Sequence, residues 1–249
     1  MLENELEEQR TIGWYRARMG KITGSKVYDL MGKGRGKDEK FSQTAMTYLY
    51  QLAAERSINK RILDNDALFE DYVTQMSYTT KQMQWGIDME APAKVHVRGL
   101  HPEWTLTETG SCQHPSIPNF ASSPDCIIEG MEEGGIAIME VKCPNPSTHM
   151  RYSRLITGGD SLKSVEPRYY WQMMAEMACT GALAGLFVSY CPWLGNPIHT
   201  QRIERNEEDI STLCMRVEEA NKEIDNIMSD IGCNNSTGGN NKGKEEEVQ

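Results

Sequence analysis

Ser123-Pro124-Asp125-Cys126-Ile127-Ile128-Glu129, followed after a short break by Ile136-Ala137-Ile138-Met139-Glu140-Val141-Lys142-Cys143-Pro144, is the stretch on which the fold turns. Its two halves alternate Ile and Val with other residues and read as strands over 125–129 and 136–142. Glu129–Gly135, with Glu132, Glu133 and its glycines, reads as the hairpin turn between them. Alternate side chains of a strand share a face, so Glu140 and Lys142 point one way while Val141 points into the core. The hairpin brings Asp125 beside Glu140, fifteen residues later in the chain.

Two carboxylates and the intervening Val141 carbonyl make a hard, oxygen-only site suited to Mg²⁺ or Mn²⁺. A lysine two residues along can orient or deprotonate an attacking water and offset the charge of a phosphate. Phosphodiester hydrolysis needs both. A surface hairpin with paired charges would produce the same short pattern, so the surroundings decide. Ile136 and Ile138 place Glu140 and Lys142 on an otherwise buried strand, where an unpaired charge is costly. Trp85-Gly86-x-x-x-Glu90 supplies a third acid from a preceding helix. Tyr169-Tyr170-Trp171-Gln172 opens a later helix with an amide on an aromatic and Met-rich face.

Working outward, further strands are expected at about 104–109, 119–122, 184–190 and 198–204, and helices at about 41–57, 80–98, 147–157 and 167–179. Thr23-Gly24-Ser25 offers a helix N-cap ahead of Val27 and Leu30. Pro92 is expected to kink or restart its helix. A closing helix over about 207–231 repeats Ile210, Leu213, Val217, Ala220, Ile224, Ile227 and Ile231 at a 3-4 spacing. Such a stripe fits a face packed on the chain's own core or, less directly, a subunit contact. The fold class is α/β, a mixed central β-sheet flanked by helices. No linker or repeat divides it. The expected organisation is an acidic N-terminal extension (1–9), one domain (10–232) and a disordered, Asn- and Gly-rich tail (233–249).

At 249 residues, the chain can bury a sizeable core without disulfide or metal staples. The N-terminus is acidic and unlike a signal peptide, and the apolar run at Ala178–Pro192 is too short and interrupted to span a bilayer. Seven cysteines, an odd number with no Cys-x-x-Cys pair, read as free thiols of a reducing cytoplasm. Gly32-Lys-Gly-Arg-Gly-Lys does not match a phosphate-binding glycine loop. The five histidines show no ligand spacing. Trp14 and Trp85 read as core aromatics, and Met173, Met174 and Met177 as packing. Net charge is −10, yet residues 10–61 carry twelve bases against four acids. A local basic segment of that kind can steer a polyanion toward an acidic protein.

The ordered set of motifs resembles the lambda-exonuclease/YqaJ-type viral recombinase family of the PD-(D/E)xK nuclease superfamily, whose core is restriction-endonuclease-like. The markers are Trp14-x-x-x-Arg18-x-Gly20-x-Ile22-Thr23-x-Ser25, Trp85-Gly86-x-x-x-Glu90, Ser123-Pro124-Asp125, Glu140-x-Lys142-Cys143-Pro144 and Tyr169-x-x-Gln172. The resemblance implies Asp125, Glu140 and the Val141 carbonyl as metal ligands, with Lys142 positioning and activating the water. Glu90 would lie near a second metal, and Gln172 would orient the catalytic groups. Arg18 and Ser25 match a pocket for the terminal 5′-phosphate, and Cys143 would pack behind the site. The implied activity is a Mg²⁺-dependent 5′→3′ exodeoxyribonuclease on linear duplex DNA, releasing mononucleotides and leaving 3′ single-stranded DNA. It also implies a homotrimeric ring and a single-strand annealing protein as partner, in phage-type recombination in a bacterial host cytoplasm. Three alternatives remain at this level. They are an endonuclease of restriction or resolvase type, a catalytically silent DNA-end-binding protein, and an RNA-cleaving nuclease on the same scaffold.

Overall fold

A computed structural model describes residues 8–34, 36 and 39–233. The expected tail from 234 onward and most of the acidic extension (1–7) lie outside the described residues. The helices are α1 (Ile12–Arg18), α2 (Val27–Met31), α3 (Gln43–Arg56), α4 (Lys60–Leu63), α5 (Asp66–Met76), α6 (Lys81–Leu100), α7 (Pro146–Leu155), α8 (Gly159–Val165), α9 (Pro167–Thr180) and α10 (Glu207–Asp230). The strands are β1 (Ile22–Thr23), β2 (Thr105–Thr107), β3 (Cys112–Gln113), β4 (Phe120–Ser122), β5 (Cys126–Glu129), β6 (Ile136–Lys142), β7 (Ala184–Tyr190) and β8 (Ile198–Glu204).

The main sheet has the order β2-β5-β6-β7-β8, with β6 at its centre. β5 and β6 form the expected hairpin, pairing Cys126 with Met139 and Glu129 with Ile136. Gly130 and Gly134 supply positive φ in its turn, a conformation that costs glycine no side-chain clash. β6 and β7 run parallel, joined through α7, α8 and α9, while β7 and β8 are antiparallel. The sheet is therefore mixed, as expected. A smaller sheet, β1-β4-β3, leads into the Ser122–Asp125 segment.

Alternation along β6 sorts its residues into two layers. Ile138 joins a cluster with Met173, Met174 and Met177 of α9, Phe187, and the apolar faces of α3 and α10. Ala137, Met139 and Val141 join a second cluster with Val188 and with Ala93 and Val97 of α6. Glu140 and Lys142 follow Ile138 and so face the α9 layer. The seven cysteines are free thiols.

The stripe on α10 is buried against the chain's own core from Ile210 to Ile227, the first of the two readings open to it; Ile231 lies past its end and is exposed. The structure corrects several other expectations. α6 runs uninterrupted through Pro92, although proline removes one helical hydrogen bond. Its Ala93 and Val97 are buried in the core, and this packing offsets the loss. Thr23 makes no capping side-chain bond, because a 3₁₀ turn over Gly24–Lys26 intervenes before α2. Trp14 and Trp85 are only partly buried. Trp14 bonds Ser123, and Trp85 stacks at 5.7 Å on Trp193, which is 70% exposed.

Candidate active site

Asp125 stands at the mouth of β5, and its N–H donates to the Met139 carbonyl across 3.0 Å. Its Oδ2 accepts the Val141 N–H at 2.7 Å, which fixes the carboxylate against the adjacent strand. The preceding turn is clamped from behind. Thr109 Oγ1 donates to the Pro124 carbonyl at 2.8 Å, and the Gln9 amide donates to the Pro124 and Thr109 carbonyls, each at 3.0 Å.

Glu140, only 3% exposed, sits one strand away. Its Oε1 accepts from Gln172 Nε2 at 2.7 Å and from the Lys142 ammonium. The same Gln172 nitrogen donates to Glu176 Oε1 at 2.9 Å, and Gln172 Oε1 lies 3.4 Å from Lys142 Nζ. Lys142 also rests over the Tyr169 ring, 4.6 Å from its centroid. A hydrogen-bonded chain thus runs Lys142–Glu140–Gln172–Glu176 from strand to helix.

The electrostatics are those of crowded anions. Burial pushes Asp125 well above the ordinary carboxylate range, and Glu140 and Glu90 push it further. Glu176 is raised in the same way by burial and by Glu140. Burial alone would lower Lys142, but Glu140 and Asp125 outweigh it and hold the ammonium charged. The second oxygens of Glu140 and Glu176 are buried and accept no hydrogen bond. An oxygen-rich, anion-crowded pocket with unpartnered acceptors fits a divalent cation that keeps several of its waters. Among the described residues, no three His, Cys, Asp or Glu side chains already converge as a metal cluster. The carboxylates are engaged by protein donors instead.

Asp125 separates two small cavities. One, of 160 Å³, is walled by Trp14, Arg18, Ser25, Ser123, Asp125, Gln172 and Glu176, together with Gln9 and Ser122. Here the structure brings together five of the residues singled out in the sequence: Arg18, Ser25, Asp125 and Gln172, with Trp14 among the family markers. Arg18 Nη1 donates to Ser123 Oγ at 2.9 Å, and its guanidinium lies over the Trp14 ring at 4.3 Å. Gly24 passes so close to Ser122 that a Cβ there would fall 2.0 Å from its Oγ, which is buried without a partner.

The other cavity, of 190 Å³, is walled by Gln9, Arg10, Glu90, Lys94, Glu108, Thr109 and Asp125. Glu90 therefore approaches from the α6 layer, opposite Gln172. Its oxygens are taken by Arg10 at 2.6 Å and Lys94 at 2.7 Å. Burial alone would raise Glu90, but these two cations bring it below the ordinary range. Val141 packs its side chain in the α6-side cluster, and Cys143 lies against the same cluster.

Sequence reasoning missed Glu176, Ser123, Gln9 and Lys94. A signal existed for Glu176, the one acid in Met173-Met174-Ala175-Glu176-Met177, one helical turn after Gln172. Ser123 lies within the Ser-Pro-Asp motif, but only the fold brings Trp14 and Arg18 to its hydroxyl.

The YqaJ-like viral recombinase domain model matches residues 13–183. No curated protein sequence matches significantly. An alkaline exonuclease from Laribacter hongkongensis is 26% identical, with a TM-score of 0.68 over 89% of this chain and 96% of that one. The same exonuclease in complex with dAMP gives 26% identity and a TM-score of 0.67, over 89% and 98%. A phage-related exonuclease from Haemophilus somnus 129PT shares the fold at 16% identity, with a TM-score of 0.61 over 85% and 96%. The architecture is thus that of these exonucleases, of the restriction-endonuclease-like type.

Proposed function

Because the chain belongs to the YqaJ-like viral recombinase family, we propose that it is a lambda-exonuclease-type nuclease: a Mg²⁺-dependent 5′→3′ exodeoxyribonuclease acting on the ends of linear duplex DNA. The observation that carries this reading is one small cavity lined by Asp125 and Gln172 together with Arg18 and Ser25, with Glu140 and Lys142 hydrogen-bonded to Gln172 behind it. A binding module has no use for buried carboxylates with unpartnered oxygens, because their desolvation is costly.

Asp125, Glu140 and the Val141 carbonyl are the proposed metal ligands, with Glu90 near a second ion. Bound there, Mg²⁺ (or Mn²⁺) would act as a Lewis acid on the scissile phosphate and lower the pKa of the attacking water. Lys142 orients that water and opposes the negative charge that builds on the phosphate. Gln172 holds Glu140 in place and presents its carbonyl to Lys142. Arg18, stacked on Trp14 and bonded to Ser123, offers its remaining N–H groups to a terminal 5′-phosphate, with Ser25 adding a hydroxyl. A phosphate gripped there lies in the same cavity as Asp125, so hydrolysis would fall close to the strand's 5′ end.

The proposed products are mononucleotides and a 3′ single strand, passed to a single-strand annealing protein in phage-type recombination. A homotrimeric ring, which could not leave DNA sideways, would make the reaction processive. The unit responsible is a single nuclease domain over 10–232, working in a bacterial host cytoplasm; among the described residues, no helix is long and apolar enough to cross a membrane.

The test is a time course with Mg²⁺ on linear duplex DNA carrying separate 5′ and 3′ labels, beside a closed circle. Early release of the 5′ label as mononucleotide, late loss of the 3′ label and an intact circle are expected. Asp125→Ala and Lys142→Ala should each abolish that release. Nicked circles or internal fragments would replace the reading with an endonuclease, and binding without cleavage with an end-binding protein.

A further inference from the structure

A third cavity, of 290 Å³, lies between α1, α3 and α5. It adjoins the candidate active site, since Arg18 and Ser25 line both. Arg18 and Lys21 contribute cations to its wall, and neither forms an ion pair among the described residues. The one carboxylate in the wall, Glu55, is engaged by the Gly20 N–H and the Gln51 amide, each at 2.9 Å. Lys26, the third cation, lies 3.7 Å from Asp29.

Burial lowers both Arg18 and Lys21, as expected for cations drawn from water without a counter-ion. Lys21 is the more telling of the two. Arg18 at least bonds Ser123 and stacks on Trp14, whereas the Lys21 ammonium has no side-chain hydrogen bond among the described residues. Tyr15, Tyr48 and Tyr72 also line it, Tyr48 as a buried core residue. Aromatic faces such as those of Tyr15 and Tyr72 can stack nucleobases without regard to sequence. The volume is near the lower end of ordinary ligand pockets, about 300 Å³. It suits one nucleotide-sized anion and excludes a duplex.

We propose that this cavity is a second phosphate subsite, receiving a phosphate group that lies 5′ of the terminal phosphate held at Arg18 and Ser25. The inference rests on the placement of the 5′ end given above. Two kinds of DNA end carry such a phosphate: an unpaired 5′ nucleotide and a 5′-triphosphate. Lys21 supplies the charge for either, and the tyrosines would add stacking only for the first.

The experiment measures binding by fluorescence anisotropy of the full chain, with metal chelated so that nothing is cut. Three duplexes are compared: blunt with a 5′-monophosphate, one with a single-nucleotide 5′ extension, and blunt with a 5′-triphosphate. Wild type should bind at least one extended end more tightly than the monophosphate end. A charge-assisted hydrogen bond is worth about 1.5–3 kcal/mol, so Lys21→Ala should weaken that end by about tenfold or more. The monophosphate end should stay within about twofold. Lys21→Met, which keeps the apolar stem, should behave the same way and guards against a folding defect. Loss on the extension alone assigns the unpaired nucleotide, and loss on the triphosphate alone assigns that group. Equal loss on all three ends, or on none, overturns the subsite. Adding Mg²⁺ separates the two readings: selective binding without any cleavage would sink the nuclease and keep the subsite, while cleavage without selective binding would do the reverse.

Discussion

Gln172 reaches Glu140 from the helix to the strand at 2.7 Å, and the same nitrogen holds Glu176 at 2.9 Å. One amide thereby fixes two carboxylates, and its own orientation is fixed in return, with the carbonyl left for Lys142.

Glu176→Ala should free that amide to rotate. On the role proposed for Lys142, that interaction would matter during the reaction more than during DNA binding. Turnover should therefore fall about tenfold while KM stays within about twofold. Steady-state kinetics on linear duplex DNA decides it, and a rise in KM with unchanged turnover would exclude this positioning role.

The crowded carboxylates set a pH dependence. Asp125 and Glu176 are raised above their unfolded values, so at these two sites the folded chain binds more protons than the unfolded chain above about pH 4. Metal-free stability should then fall as pH rises from that point toward neutrality. Millimolar Mg²⁺ should restore part of it, because an ion that binds only the native state stabilises it. Thermal melts from pH 4 to 8, with chelator and with Mg²⁺, should diverge as pH increases. Asp125→Asn should narrow the gap.

Arg18→Ala should cut the preference for 5′-phosphorylated over 5′-hydroxyl ends by about tenfold or more, since a charged hydrogen bond to phosphate is lost. Competition between the two ends in one reaction measures it directly. Equal use of both ends by the wild-type protein would remove Arg18 from that role.

Pro92→Ala restores a missing helical hydrogen bond within an unbroken α6. It should stabilise the chain by about 1–3 kcal/mol in chemical denaturation. Activity should be unchanged, because Glu90 and Lys94 keep their places on the same helix.

The hairpin, the longer strands and the long helices were legible because each imposes a period on the sequence. β5 and β6 alternate, and α10 repeats every three to four residues. Two-residue strands such as β1 and β3 carry no period, and α4 and α5 show no marker that separates them from loop. At the site, Asp125, Glu140, Lys142 and Gln172 could be named because they sit in spaced motifs. Gln9 could not, since its contacts with Thr109 and Pro124 join residues about a hundred positions apart. Trp14 and Trp85 were misread because size alone favours burial, whereas both face partly open surfaces that polar or aromatic partners complete.

β6 is hydrogen-bonded on both edges and buried on both faces. Its amide hydrogens should exchange with solvent only when the whole chain unfolds, whereas α1, with no fully buried residue, can open locally at much lower cost. The two proposed roles, catalysis at Glu140 and Lys142 and end recognition at Arg18, would thus be anchored to segments of very different lifetime. Glu140 and Lys142 keep their geometry for as long as the fold lasts, while the helix that carries Arg18 can open and reclose many times within that span.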